Sequence, residues 1–178
     1  MLRSRLATID DLPQLRAIMA LAIDTLQDDF LDPAQVRASH AVMGLDTQLI
    51  DDGTYFVIKE DEIVGCGGWG RRRTLYGGDH SAALRSNDLL DPSSEPARIR
   101  AMYTHPDHVR RGIGRMVLAL SEGAAAREGF TRCELMSTLA GEPLYAACGY
   151  KRVVEENASI DGVIVPLVLM EKDIADDG

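Results

Sequence analysis

The sequence predicts a mixed α/β protein, a three-layer α-β-α sandwich in which helices cover both faces of a mixed, mostly antiparallel sheet of about six or seven strands. Helical and strand periodicities alternate along the chain. Two neighbouring strand patterns are separated only by the acidic turn Glu60-Asp61-Glu62, which is typical of a hairpin. The 178 residues suffice for one hydrophobic core, so residues 1–178 are expected to form a single domain.

The N-terminal part of the chain is predicted to contain one strand and then helices. Apolar residues spaced three and four apart indicate a first helix, whose start is marked by Thr8 and Asp11 as a capping pair and by Pro13. Asp32-Pro33 marks the start of a second helix. The predicted elements are a strand at 2–7, helices at 12–26 and 33–44, and a further helical turn at 46–52.

From Thr54 onward the period changes, and strands alternate with two helices. Residues 77–97 form a long polar connection with little periodicity, and a connection of that length in a small domain is usually functional or mobile. The predicted elements are strands at 55–58, 63–70 and 97–104, a helix at 112–127, a strand at 132–137, a helix at 143–147, and strands at 150–155 and 163–170.

The composition argues against several classes of function. The net charge of −9 disfavours general nucleic-acid binding, which needs a basic surface. No apolar run is long enough to span a membrane and no secretory leader is recognisable, so neither a nucleic acid nor a membrane is an expected partner. Cys66, Cys133 and Cys148 are too few and too scattered for a disulfide framework, which favours reduced thiols in a cytoplasmic protein.

Residues 97–115 carry the strongest functional signal in the chain. A predicted strand leads through a turn into a loop that opens an amphipathic helix, and the N–H groups of a helix N-terminus attract anions. Gly112 and Gly114 would let a ligand approach the main chain closely. The stretch holds five arginines against one acid, Asp107, in an otherwise acidic protein. The pattern indicates a phosphate-bearing cofactor bound at this turn.

Two nucleotide-binding motifs do not explain this signal. Gly65-x-Gly67-x-x-Gly70 matches the dinucleotide fingerprint in letters but no helical pattern follows it, so its glycines indicate close packing within a strand. No GK[ST] phosphate loop occurs in the chain. Gly112-x-Gly114 lacks a third glycine and is therefore not a Rossmann turn.

Two motifs stand at a characteristic spacing in the second half of the chain. The first consists of Met102-Tyr-Thr-His-Pro106 and Val109-Arg-Arg-Gly-Ile-Gly114, and the second runs from Ser137 to Tyr150 and ends in an FYxxxGF-like signature. Together they resemble the GNAT superfamily of acyl-CoA-dependent N-acetyltransferases. The resemblance implies the acyl-CoA N-acyltransferase fold, and transfer of an acetyl group from acetyl-CoA, the co-substrate, to a primary amine. It implies direct attack in a ternary complex, and no metal is expected.

The resemblance also implies roles for individual residues. The loop before the predicted helix would hold the coenzyme A pyrophosphate through main-chain N–H groups, and the end of the preceding strand would pair with the pantetheine arm. A free N–H of that strand would polarise the acetyl carbonyl. Tyr145 matches the tyrosine that protonates the leaving thiolate, with a buried aromatic packing the short helix as the alternative interpretation. The implied cofactor-binding residues are Met102, Tyr103, Thr104, Val109, Arg110, Arg111, Gly112, Ile113, Gly114 and Arg115.

The sequence does not identify a general base. The predicted central strand lacks the glutamate that many family members place there, and His105 beside the turn is equally well explained by capping. Asp79 and His80 lie in the long connection, where they could line an acceptor site. Capture of an already neutral amine would need no base.

The sequence does not identify the acceptor either. A small-molecule amine and a peptide amine both suit the resemblance, and a homodimer is compatible with it. Two other functions stay open. The missing glutamate, together with Val109 where the family usually has Gln or Arg, would suit a non-catalytic acyl-CoA-binding module. A binding protein for another phosphorylated ligand would use the same turn.

Overall fold

The structure, a computed structural model, describes residues 1–174. Its helices are α1 (Leu12–Leu26), α2 (Pro33–Ser39), α3 (Thr47–Asp51), α4 (Ile113–Arg127) and α5 (Glu142–Ala147). Its strands are β1 (Arg3–Leu6), β2 (Tyr55–Lys59), β3 (Ile63–Gly70), β4 (Ala97–Thr104), β5 (Arg132–Thr138), β6 (Lys151–Glu155), β7 (Ala158–Ile160), β8 (Val163–Val165) and β9 (Leu167–Asp173). Within the same residues, no helix combines the length and the hydropathy needed to cross a membrane.

Seven of the nine strands found in residues 1–174 form one sheet, in the order β1-β2-β3-β4-β5-β9-β6. Neighbouring strands are antiparallel except β4 and β5, which are parallel. The crossover between these two is α4, because parallel neighbours need a long connection that passes over the sheet. The predicted mixed, mostly antiparallel sheet is therefore confirmed.

Helices cover both faces of this sheet. Successive side chains of a strand point to opposite faces, so β2 contributes to two separate cores. Tyr55 and Val57 pack with apolar residues of α1, whereas Ile58 packs with Ile113 and Val117 of α4. Tyr55, Val57 and Ile58 are all buried. The predicted three-layer sandwich is confirmed by this division.

The C-terminal strands differ from the prediction. The single strand expected at 163–170 is two strands, β8 and β9, because Pro166 between them has no N–H to donate to a sheet. β8 pairs instead with β7, which was not predicted, in a separate two-stranded sheet. Asp161 and Gly162 form the turn of this hairpin with positive φ angles of 49° and 81°.

The second helix is shorter than predicted and carries the β7–β8 hairpin on one side. α2 ends at Ser39 rather than near Gly44, since the following chain turns back so that the N–H groups of Val42 and Met43 both donate to the Ser39 carbonyl. The Gln35 amide donates to the carbonyl oxygen of Ile164 in β8 at 2.9 Å. A small apolar cluster joins the two elements and consists of Ala38, Val42, Ala158, Val165 and Leu167.

The long connection between β3 and β4 is held to the fold by ion pairs. The guanidinium of Arg100, in β4, donates to Asp46 and to the Gly77 carbonyl oxygen, each at 2.9 Å. Arg85, within the connection, reaches the same carboxylate at 3.0 Å. The side chains of Arg100 and Asp46 are each only 3% exposed, so removing either would leave an unpaired buried charge. The connection predicted as a functional or mobile loop is thus pinned beside α3.

Candidate active site

The parallel strands β4 and β5 diverge after two residue pairs. Ala97 pairs with Cys133 and Arg98 with Glu134, and within the described part of the chain no further pairing joins these strands. β5 remains paired with β9 along its whole length, and β4 remains paired with β3 as far as Thr104. The facing edges of the resulting gap present main-chain N–H and C=O groups that a ligand could pair with as an added strand.

β4 bulges beside this gap. The register between β3 and β4 shifts at Gly67, and Ala101 has a φ of 51°, in the left-handed region. Gly67 makes room for the bulge, because a Cβ there would lie 2.6 Å from Met102 Cγ. On the α1 side of the sheet, the Tyr55 hydroxyl donates to the Ala101 carbonyl oxygen at 2.6 Å. The irregular step in β4 is therefore held by a close glycine contact and a buried hydrogen bond.

The loop that leads into α4 forms the predicted anion site. Gly112, immediately before the helix, has a φ of 79°, which glycine adopts at little cost, and Arg110 also has a positive φ, of 62°. Gly114 lets α5 approach α4, since a Cβ there would lie 2.5 Å from Leu144 Cδ2. The first N–H groups of α4 have no acceptor within the helix, and they carry partial positive charge.

A cleft of about 710 Å³ joins this loop to the gap between β4 and β5. Thr138, Gly141 and Tyr145 from the second sequence motif line the same cleft, so the fold brings the two motifs together. Nine of the ten predicted cofactor-binding residues line it, namely Met102, Tyr103, Thr104, Val109, Arg110, Gly112, Ile113, Gly114 and Arg115.

Arg111, the tenth predicted residue, is directed to a different partner. Its guanidinium forms a two-point ion pair with Glu60 in the turn between β2 and β3, with nitrogen–oxygen distances of 3.0 and 2.9 Å. This pairing lowers the pKa of the Glu60 carboxyl to about 2. The charge of Arg111 is therefore already compensated, and the residue does not line the cleft.

Tyr145 lies on α5, half-buried, where the cleft meets the gap. Its ring packs edge-on against Tyr150, with centroids 6.0 Å apart, so the packing contact predicted as the alternative role is present. Its hydroxyl makes no hydrogen bond to any residue in the described range 1–174. Burial raises the pKa of the Tyr145 phenol above its ordinary value, so the group is protonated at neutral pH.

A second cavity, of about 110 Å³, adjoins the cleft at the gap, and Val42 and Gly44 from the segment after α2 contribute to its walls. Met102, Tyr103 and Tyr145 line both spaces, so the two meet between β4 and β5. Sequence reasoning missed this cavity because its walls come from segments far apart in the chain. The residues that line only the second cavity include Val42, Leu75, Tyr76, Arg100, Met136 and Leu167.

The titratable residues considered as bases lie away from this meeting point. His105 accepts a hydrogen bond from the Asp107 N–H at 3.1 Å through Nδ1, which is a capping contact. Asp79 and His80 line a third cavity, of about 260 Å³, and Asp79 is paired with Arg85 at 2.9 Å. In the described part of the chain, no His, Asp or Glu lines the second cavity, and no group of three or more His, Cys, Asp or Glu could hold a metal.

Comparison with known proteins agrees with this geometry. The family model of the acetyltransferase (GNAT) domain matches residues 51–152, more than half of the chain. The chain therefore belongs to the GNAT acetyltransferase family, and the predicted family and acetyl-CoA-dependent acetyltransferase class are confirmed. A search of curated protein sequences found no significant match.

Solved structures with the same fold cover nearly the whole chain. A GCN5-related N-acetyltransferase from Rhodopseudomonas palustris has a TM-score of 0.70 at 19% identity, covering 96% of this chain and 94% of that one. The PaiA N-acetyltransferase from Thermoplasma acidophilum, in complex with coenzyme A, has a TM-score of 0.65 at 14% identity, covering 97% and 99%. YncA, a putative acetyltransferase from Salmonella typhimurium with acetyl-CoA, has a TM-score of 0.63 at 19% identity, covering 98% and 95%.

Proposed function

We propose that this protein transfers the acetyl group of acetyl-CoA to a primary amine by direct attack in a ternary complex. The donor would occupy the 710 Å³ cleft, with its pyrophosphate on the main-chain N–H groups of residues 109–115 and its pantetheine arm along the free edge of β4. The coenzyme A and acetyl-CoA in the structures of PaiA and YncA support this choice of donor.

The single observation that carries the proposal is the shared cleft. One continuous space is lined by the anion-attracting start of α4, the end of β4 and Tyr145. A molecule with phosphates at one end and a thioester at the other suits that arrangement. The phosphates would bind the N–H groups at the start of α4, and the thioester would lie beside β4 and Tyr145. The alternative of a non-catalytic module does not account for the second cavity, which meets the main cleft at Met102, Tyr103 and Tyr145.

The reaction can be written with this chain's own groups. The neutral amine nitrogen attacks the thioester carbon, and an N–H of β4 near the bulge stabilises the developing oxyanion. The C–N bond forms, the C–S bond breaks, and the departing thiolate takes the proton of Tyr145. The acetylated nitrogen gives up its extra proton to water, and water returns a proton to the phenolate. No enzyme nucleophile is required, in keeping with direct attack.

Two measurements on the full chain test the proposal. Acetyl-CoA should raise the melting temperature, whereas ATP and NAD at equal concentration should not. Release of coenzyme A thiol should accelerate when primary amines are added to protein and acetyl-CoA. Stabilisation by acetyl-CoA without thiol release for any amine would establish the non-catalytic module instead. Equal stabilisation by ATP would favour a binding protein for another phosphorylated ligand.

A further inference from the structure

The main cleft has a wall that the donor-site residues do not supply. It is formed by the C-terminal part of α1, with Gln27 just after it, and by the segment after α2. α1 and α4 cover opposite faces of the sheet, so the cleft reaches from the anion site to the α1 face. The residues of this wall are Ala22, Ile23, Leu26, Gln27 and Met43.

Gln27 supplies the polar side chain of this wall. The residue is only 3% exposed, yet it lines the cleft. A buried amide ordinarily has hydrogen-bond partners for both its nitrogen and its oxygen. Within residues 1–174, the Gln27 Nε2 donates to the Met43 Sδ at 3.4 Å, and the Gln27 Oε1 accepts no hydrogen bond. The oxygen is therefore the end of the amide that is available to a ligand.

The sulfur of Met43 fixes the orientation of this amide. A thioether can accept a hydrogen bond but cannot donate one, so the NH2 group of Gln27 faces the sulfur and the oxygen faces away. The fully buried side-chain atoms without a partner in residues 1–174 are Arg98 Nε and Ser121 Oγ, and the Gln27 oxygen is not among them. Because this oxygen has no partner and is not fully buried, it is open to the cleft that its residue lines.

Met43 also connects the amide with the place where the thioester would lie. Its side chain lines the main cleft and the second cavity, as do the residues at which these two spaces meet. The N–H of Gly44, the next residue, donates to the Tyr103 hydroxyl at 2.8 Å and so ties this segment to β4. Gln27 is thus separated from the meeting point by the Met43 side chain alone.

We propose that Gln27 positions the acceptor amine. Its Oε1 accepts a hydrogen bond from an N–H of the neutral amine, which leaves the nitrogen lone pair free to attack the thioester. This inference rests on the proposed function, because it takes acetyl-CoA to occupy the α4 side of the cleft. An amide oxygen has no net charge, so it holds the amine without favouring the ammonium form as a carboxylate would. Within residues 1–174, no Asp or Glu lines either the main cleft or the second cavity.

The Gln27→Met variant removes the oxygen and keeps the chain length. Ethylamine, benzylamine and 1,4-diaminobutane are suitable probes, because they share the primary amine and differ in the rest. The variant should lower kcat/KM about tenfold for every probe that the wild type acetylates, since the lost contact is to the shared nitrogen. The KM for acetyl-CoA should not change. The melting temperature should be equal or higher, because the amide gives up no strong hydrogen bond.

The Gln27→Glu variant separates positioning from packing. It keeps an acceptor oxygen but adds a negative charge, which favours the ammonium form and raises the pKa of the bound amine. The rise of kcat with pH should therefore shift to higher pH by about one unit. Above that rise, kcat should return to the wild-type value in Gln27→Glu.

Neighbouring titratable groups would not produce this shift. Burial raises the pKa of Cys66 to about 12 and that of Tyr103 above its ordinary value, so both keep their protons through most of the range. Asp24 and His40 pair with each other at 2.7 Å. The acidic and basic residues near Gln27 that do not line the cleft are Asp24, Asp28, Asp29 and His40.

Gln14→Met is the matched control. Gln14 also lies on α1, but its Oε1 accepts a hydrogen bond from the Ile63 N–H at 3.3 Å and it lines none of the three cavities. This variant should lower the melting temperature and leave kcat/KM for the amines unchanged.

The outcomes separate this inference from the proposed function. A raised KM for acetyl-CoA in Gln27→Met would assign the amide to the N–H groups of the pantetheine arm and overturn the inference. Unchanged kcat/KM for the amines, a loss confined to one of several accepted probes, or an unshifted pH profile in Gln27→Glu would also overturn it. In each of these cases the acetyltransferase stands. If the wild type releases no thiol with any amine, the proposed function fails, and the inference fails with it.

Discussion

The Tyr55 hydroxyl donates a 2.6 Å hydrogen bond to the carbonyl oxygen of Ala101, the residue at which β4 takes a positive φ. Tyr55 is 1% exposed, and its ring belongs to the core between the sheet and α1. Burial raises the pKa of this phenol, so the hydroxyl keeps its proton and stays a donor. A core residue of β2 thus stabilises the irregular backbone beside the gap between β4 and β5.

Replacing Tyr55 with phenylalanine should affect both stability and turnover. The Ala101 carbonyl would lose a buried partner, which costs about 1–3 kcal/mol of unfolding free energy. Relaxation of the bulge should also lower kcat, because it moves the N–H groups that would stabilise the oxyanion. Urea denaturation and steady-state kinetics measure the two effects. An unchanged kcat in a destabilised variant would assign Tyr55 to folding alone.

Tyr145→Phe should lower kcat by about 100-fold and leave the KM for acetyl-CoA nearly unchanged, since only proton transfer to the thiolate is removed. The raised pKa of the wild-type phenol predicts that activity persists at least up to its ordinary value of about 10 before the proton is lost. A pH profile of kcat from pH 6 to 11 tests this.

Tyr150→Phe is the matched control for Tyr145→Phe. Its hydroxyl bonds to Glu122 at 2.9 Å, and Tyr150 does not line the cleft. This variant should lose stability and retain kcat. Full activity of Tyr145→Phe at every pH would leave ring packing as the only role of that residue.

Gly112→Ala should weaken acetyl-CoA binding. The φ of 79° before α4 is unfavourable for alanine, and relieving it would redirect the N–H groups of the anion site. Gly162→Ala, in the β7–β8 turn with a φ of 81°, imposes comparable backbone strain away from the cleft. Both variants should lose about 1 kcal/mol of stability. Isothermal titration should find reduced affinity in Gly112→Ala alone, and equal affinities would contradict the assigned site.

The arginines before and within the start of α4 should contribute unequally to acetyl-CoA binding. Arg115 lines the cleft, whereas Arg111 is paired with Glu60. Arg115→Ala should therefore weaken binding about tenfold at low salt, and Arg111→Ala no more than about threefold. Titrations at low and high salt should show that the loss of acetyl-CoA affinity in Arg115→Ala depends more strongly on salt than the loss in Arg111→Ala. The reverse order would require Arg111 to leave Glu60 when the donor binds.

The local features of the donor site were predictable because they depend on neighbouring residues. Residues 97–127 contain the pattern of a strand, then a glycine, then apolar residues at helical spacing. The match of this segment to the GNAT pattern then indicated the family, which the family model confirmed. The roles of the ten cofactor-binding residues and of Tyr145 stay predictions, although the structure gathers all but Arg111 around one cleft.

Other features were decided by contacts between distant parts of the chain. Nothing near Arg111 reveals that Glu60, 51 positions away, would compensate its charge. The split of the last predicted strand at Pro166 was readable in principle, but the docking of the resulting hairpin on α2 was not. Strand pairing and helix docking depend on packing across the whole fold, whereas helix starts and turns depend on a few adjacent residues.

The sequence by itself determined the donor end of this protein: a helix N-terminus, its glycines and a strand to lead into it, which together indicate coenzyme A chemistry. Only the tertiary structure decided the arrangement around the gap between β4 and β5. The divergence of β4 and β5, the bulge held by Tyr55 and the second cavity beside the gap each require segments separated by tens of residues to meet. Anion binding follows from backbone groups close together in the chain, whereas a cavity takes its shape and charge from whichever side chains the fold places around it.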